Sequence, residues 1–110
     1  MTYQYIYQNI SHFCGKDDIS TKALIEIIKI SLSESLIELQ GYSMGNNRVE
    51  VSNLAHKLKT TFIMLGDAEL VKKNNILNNC AFENMNETQI NILYEDYVKS
   101  IFNLTVILDS

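Results

Sequence analysis

Val51-Ser52-Asn53-Leu54-Ala55-His56-Lys57-Leu58-Lys59-Thr60-Thr61-Phe62-Ile63-Met64-Leu65-Gly66 is the stretch from which the rest of the chain can be read. Advancing about 100° per residue, as along an ideal α-helix, gathers Val51, Leu54, Leu58, Phe62 and Leu65 into one arc. His56 falls roughly 160–240° around from that arc, so the spacing predicts a helix that buries its apolar face and turns its histidine outward. Within about 60° of the imidazole lie Ser52, Asn53, Lys59, Thr60, Ile63 and Asp67, a polar surface with one large apolar residue at its centre. Such a surface suits a docking partner, and a histidine flanked by Lys57 and Lys59 suggests phosphate chemistry.

Upstream, Gly41-Tyr42-Ser43-Met44-Gly45-Asn46-Asn47 reads as a loop, because its glycines and asparagines tolerate left-handed backbone. Asn47, with Glu50 three residues on, reads as a capping box that opens the histidine helix. Before the loop, Asp17 and Asp18 cap a helix over residues 19–40. Its apolar face comprises Leu24, Ile28, Leu32, Leu36 and Leu39, with Ala23, Ile27 and Ile30 beside them, broad enough for a bundle interior. An amphipathic opening over residues 3–13 sets Tyr3, Ile6, Tyr7 and Ile10 on one side and stops near Gly15.

Downstream, the histidine helix runs to about Gly66, a residue that permits close packing on a neighbouring helix or a local bend. Ala68, Leu70, Val71, Ile76 and Leu77 continue a helical pattern that fades into the asparagine-rich residues 74–86. Asn86 and Gln89 form a second capping box. Ile90, Leu93, Tyr94, Tyr97, Ile101, Leu104 and Leu108 then recur at three- and four-residue intervals. Four long helices with short links predict an all-α, antiparallel up-down-up-down four-helix bundle with a short extra N-terminal helix.

Composition narrows the class. A chain of 110 residues, 46% hydrophobic and 20% charged, fits one domain over residues 1–110 with a single core. The absence of proline favours long helices, and a net charge of −4 argues against general nucleic-acid binding, which needs a basic stripe. No apolar run approaches the ~18 residues of a membrane span, and the start lacks the basic and apolar regions of a secretory leader. The expected location is cytoplasmic, and Met1 fits a complete small protein.

Cys14 and Cys80 form no CxxC pair and read as small buried hydrophobes. No Cys, His and Asp cluster has zinc spacing, and His12 reads as an ordinary, partly exposed side chain. Tyr3, Tyr5 and Tyr7 lack interleaved basic residues, so they cap the bundle rather than stack on bases. Nothing in the pattern demands a dimer, and a monomer is expected.

The segment from His56 to Leu70 resembles the histidine-containing phosphotransfer (HPt) family, whose pattern runs His-x-Leu/Ile-Lys-Gly-x-Ala/Ser-x-x-Leu/Val-Gly-x-x-x-Leu/Ile/Met. His56, Leu58, Lys59, Leu65, Gly66 and Leu70 match it in register. The upstream helix and the loop before the histidine also resemble the family's layout, so the likeness covers nearly the whole chain. It implies a phosphorelay intermediate rather than an enzyme with turnover of its own. His56 would accept a phosphoryl group from an aspartyl phosphate on one receiver domain and pass it to another receiver's aspartate. The receiver, of a response regulator or hybrid sensor kinase, would supply the magnesium, and this chain would need no cofactor or metal.

An imidazole, with an ordinary pKa of about 6.5, is a competent nucleophile near neutral pH and its phosphoramidate readily releases the group again. Lys59, one turn after His56, would offset phosphate charge, with Lys57 a weaker contributor. Ser52, Lys57, Thr60, Ile63 and Asp67 would meet the partner. Two departures point to the His56 side: Thr60 stands where the family has glycine, and Ile63 where a small residue is usual. Their bulk would either crowd a receiver's approach or supply an apolar contact for one particular receiver; the second is expected, because the nucleophile and Lys59 are both retained and interface cores are commonly apolar with a polar rim. The rival expectation is a helical interaction module that grips a receiver or kinase through the same face without transferring phosphate.

Overall fold

In the computed structural model, which describes residues 1–42, 46–79 and 86–110, the chain forms five helices. They are α1 (Tyr3–Phe13), α2 (Asp18–Gln40), α3 (Arg48–Leu65), α4 (Ala68–Asn78) and α5 (Glu87–Leu108). No strand occurs among the described residues. The molecule measures 44 × 20 × 20 Å. At about 1.5 Å per residue, the 23 residues of α2 span most of the long axis.

Helix α1 opens where Thr2 Oγ1 accepts from the Tyr5 N–H at 3.2 Å, and it buries Ile6 and Ile10 completely. The Tyr3 and Tyr7 rings lie 6.3 Å apart on the same side. Gly15 and Lys16 then take left-handed φ values of 61° and 63°, which reverse the chain into α2. The expected pair of aspartates divides its work: Asp17 is the N-cap, and Asp18 begins the helix.

This corner titrates. Hydrogen bonds from Ser20 hold the Asp17 carboxyl below the usual carboxylate range. Asp18 is held down first by the Tyr7 hydroxyl, which donates to it, and then by Lys22 at 3.2 Å. The same Tyr7 bond pushes the phenol up to about 12. A carboxyl whose folded-state pKa is depressed stabilises the fold above its unfolded pKa, and that stability is lost as pH falls through the folded value. The thermal midpoint is therefore expected to fall below about pH 4, and to fall less steeply in the Asp17→Asn, Asp18→Asn double variant. Equal slopes for the two proteins between pH 5 and pH 2, which brackets about the carboxylate range, would exclude the corner as the source.

Helix α2 corrects the expected face. Ile28, Leu32, Leu36 and Leu39 are buried and Leu24 is half-buried, but Ile25 joins the core while Ala23, Ile27 and Ile30 face outward. Ile27 and Ile30 are 62% and 59% exposed. The buried stripe 21-25-28-32-36-39 follows one face, and both isoleucines lie well around the helix from it. Thr21 and Ser35 can enter the core because each hydroxyl donates within its own helix, to Asp17 O at 2.6 Å and Ser31 O at 2.8 Å.

Helix α3 buries Val51, Leu54, Leu58, Phe62 and Leu65, as its spacing predicts. The two expected capping boxes part ways. Asn86 is extended (φ −60°, ψ 133°), and its Oδ1 accepts from the N–H groups of Thr88 and Gln89 at 2.8 and 3.4 Å. Asn47 stands at the N-cap of α3, but its side chain makes no capping hydrogen bond. Its φ of −122° with ψ of 27° departs from the extended backbone that aims a cap side chain at the first turn. Residues 43–45 of the expected loop lie outside the described residues, as do residues 80–85, which include Cys80. Cys14 is half-buried.

Two ties show that α2 and α5 run antiparallel. The Tyr94 hydroxyl near the start of α5 donates to Leu39 O at the end of α2, while Asp109 past the end of α5 pairs with Lys29 at 3.0 Å. Along α5, Ile90, Tyr97, Ile101, Leu104 and Leu108 are buried, and Leu93 and Tyr94 are half-buried. The Phe62 and Tyr97 rings meet edge to face, 6.2 Å apart, which joins α3 to α5 in the core.

Candidate functional site

The outward face of α3 follows from its buried one. His56, Lys57, Lys59, Thr60 and Ile63 are all exposed, with Ile63 at 51%. Val49 is 60% exposed and stands seven residues before His56, as Ile63 stands seven after. Seven residues complete nearly two turns, so Val49, His56 and Ile63 form a line, with the imidazole at the centre and an apolar side chain about 10.5 Å to either side. Sequence reasoning missed Val49, although the seven-residue repeat was there to be read.

Lys59 sits about 60° around the helix from His56 and about 4.5 Å along it. The ion pairs among the described residues use Lys22, Lys29 and Lys73, which leaves the Lys59 ammonium unengaged by a carboxylate. Lys57 points about 100° around the helix from His56, on the other side from Lys59, and shares an open cleft with Glu38, Tyr42, Glu50 and Asn53. Two carboxylates in that cleft make it the poorer counter-charge for a phosphate at His56.

Two residues expected to meet a partner are occupied by the fold. Ser52 is buried, and its hydroxyl donates to Asn78 O, because α4 covers that edge of α3. Asp67 is the N-cap of α4, where Oδ1 accepts from the Leu70 N–H at 3.1 Å. The open part of the face is thus carried by Val49, Asn53, His56, Lys59, Thr60 and Ile63. Phe62, rather than Ile63, occupies the Ala/Ser position of the pattern, and it lies on the core side, where it packs on Tyr97, so the departure at that position does not touch the outward face.

At its far end the face meets α1. Ile63 and Met64 line a groove with Gln8, Asn9, His12, Phe13 and Gly66, and Phe13 is itself exposed. The last carbonyls of a helix have no partner within it. Here Asn9 Nδ2 donates to Leu65 O at 3.1 Å and the Tyr5 hydroxyl donates to Gly66 O at 3.0 Å. Helix α1 therefore closes the end of α3 with two side chains.

Behind the face lies a buried polar relay. The Asn74 amide donates to Ala55 O at 2.8 Å, and the Tyr97 hydroxyl donates to Asn74 Oδ1 at 2.7 Å. Burial pushes the Tyr97 phenol up, which keeps it a neutral donor. Every buried side-chain nitrogen and oxygen among the described residues has a partner. Among the same residues, no group of three His, Cys, Asp or Glu side chains is placed to hold a metal ion, and no helix is long and apolar enough to cross a membrane.

No protein-family model matches the chain, and no curated protein or solved structure is found to be similar to it.

Proposed function

We propose that this chain is a histidine phosphotransfer domain of the HPt type, in which α2 to α5 form the four-helix bundle and α1 is the extra N-terminal helix. The observation that carries this reading is the placement of His56 on the outward face of α3, opposite the buried Leu54, Leu58 and Phe62 and accompanied by Lys59 one turn on. In the proposed step, the imidazole Nε2 lone pair attacks the phosphorus of a receiver's aspartyl phosphate. A P–N bond forms as the P–O bond breaks, and the carboxylate leaves with its electron pair. Lys59 offsets the charge of the transferring group, and the return transfer reverses the same bonds.

The receiver brings the magnesium, so the domain acts as a carrier without turnover, as a cytoplasmic monomer. Incubation with phosphorylated receiver domains tests the reading through acid-labile, alkali-stable label on this chain. The line Val49–His56–Ile63 supports docking in addition to chemistry. Ile63→Ala, which trims an exposed side chain, is expected to weaken receiver binding about tenfold by titration calorimetry while leaving the thermal midpoint unchanged. Thr60→Gly is expected to weaken binding as well. Faster transfer in that variant would show instead that the threonine obstructs approach. The exposed apolar pair also favours one rival, a module that binds a receiver without accepting phosphate. That module would bind without label.

A further inference from the structure

Four polar side chains, Thr21, Ser35, Ser52 and Asn74, are buried among the described residues. The first two bond within α2. The other two both cross between α3 and α4, and they anchor the turn that leads into His56: Ser52 precedes it by one turn, and Ala55, whose carbonyl Asn74 holds, is its neighbour. In the α-helical register the Ala55 carbonyl also accepts from the Lys59 N–H. The relay from Tyr97 through Asn74 thus reaches the hydrogen-bonded turn that carries both the nucleophile and its counter-charge.

An apolar residue of the same volume at position 74 would remove the need to satisfy an amide in the core. A buried asparagine fixes register, because only one alignment of the helices gives its donors and acceptors their partners. The Tyr97 hydroxyl occupies Oδ1, which directs the NH2 end of the amide at Ala55. Ala55 is fully buried and small, which leaves room for the Asn74 amide of α4 to reach its carbonyl.

We infer that Asn74, oriented by Tyr97, is a positioning residue for phosphotransfer, holding the Ala55–Lys59 turn so that His56 and Lys59 meet the incoming phosphoryl group in fixed geometry. This rests on the reading of His56 as phosphoacceptor. Displacements of the order of 1 Å arising away from the chemistry can cost up to about a hundredfold in rate. Loss of the amide is expected to slow transfer by roughly tenfold while leaving the docking face intact.

The test compares wild type, Asn74→Leu and Tyr97→Phe with a receiver that labels the wild type, measuring receiver affinity, single-turnover transfer rate and hydrogen exchange of the Lys59 amide. Expected are unchanged affinity, a transfer rate lowered about tenfold in Asn74→Leu and less in Tyr97→Phe, and faster Lys59 exchange in both. Tyr97→Phe removes a single oxygen and keeps the test open if Asn74→Leu fails to fold. Wild-type rates in both variants would overturn the inference alone. A joint loss of affinity and rate would overturn it too, because that marks general loosening of α3. Absence of label on the wild type with every receiver would instead overturn the phosphocarrier reading on which it stands.

Discussion

The His56→Gln variant is expected to take up no label from a phosphorylated receiver that labels the wild type. Glutamine retains a polar side chain of similar reach but lacks a nucleophilic nitrogen, so the loss should be complete rather than partial. The position is exposed, and surface substitutions of this kind usually change stability by less than about 0.5 kcal/mol. An unchanged circular dichroism melt would therefore separate lost chemistry from lost fold. Label on the wild type should survive alkali and be lost in acid, as a phosphoramidate is, whereas an aspartyl phosphate behaves in the opposite way towards base. Label persisting in His56→Gln would move the acceptor elsewhere, with His12 the next residue to substitute. Receiver binding that ignores the substitution and yields no label on either protein would favour the non-transferring module.

The largest expected loss of stability from removing no side chain at all comes from Gly66→Ala. Gly66 has φ 76°, and a Cβ there would stand 2.3 Å from Asn9 Nδ2 and 3.0 Å from the Tyr5 hydroxyl. Left-handed backbone costs an L-residue about 1–2 kcal/mol, and displacing Asn9 gives up its bond to Leu65 O, worth about 1 kcal/mol more. A total of about 2–3 kcal/mol should lower the thermal midpoint by about 10 °C. Gly15→Ala supplies the internal control. Gly15 has a similar φ of 61°, but a Cβ there meets nothing within 4 Å, so only the backbone strain should appear. Equal midpoints for the two variants would show that the contact with α1 contributes nothing.

The core of α3 and the outward angle of His56 and Ile63 were legible in the sequence because the buried apolar residues recur there on a single face, whereas Val49, one apolar residue on the polar face near the helix start, was passed over. Helix α2 was harder to read. Isoleucines at 19, 27, 30 and 37 give it apolar character almost all round, and periodicity alone does not say which arc the neighbours cover. The asparagine caps show a second limit. Asn47 and Asn86 carry the same motif, yet only the backbone angles, set by the chain around them, decide which one caps. Ser52 and Asp67 lay at the right helical angle for a docking face, but α4 returns along α3 and claims both. The relay of Ala55, Asn74 and Tyr97 draws on three helices and leaves no local pattern, so nothing in the periodicity announced it.

Helix α1 forms no part of the motif that suggested the fold, yet its Tyr5 and Asn9 close the end of α3, and its Phe13 borders the groove beside Ile63. It therefore works as a strut for the end of α3. A version trimmed to begin at Asp17 would keep every residue of the phosphotransfer pattern while baring two helix-end carbonyls and the inner surface that Ile6 and Ile10 cover. A version that keeps the end of α3 closed must therefore carry α1 together with α2 to α5.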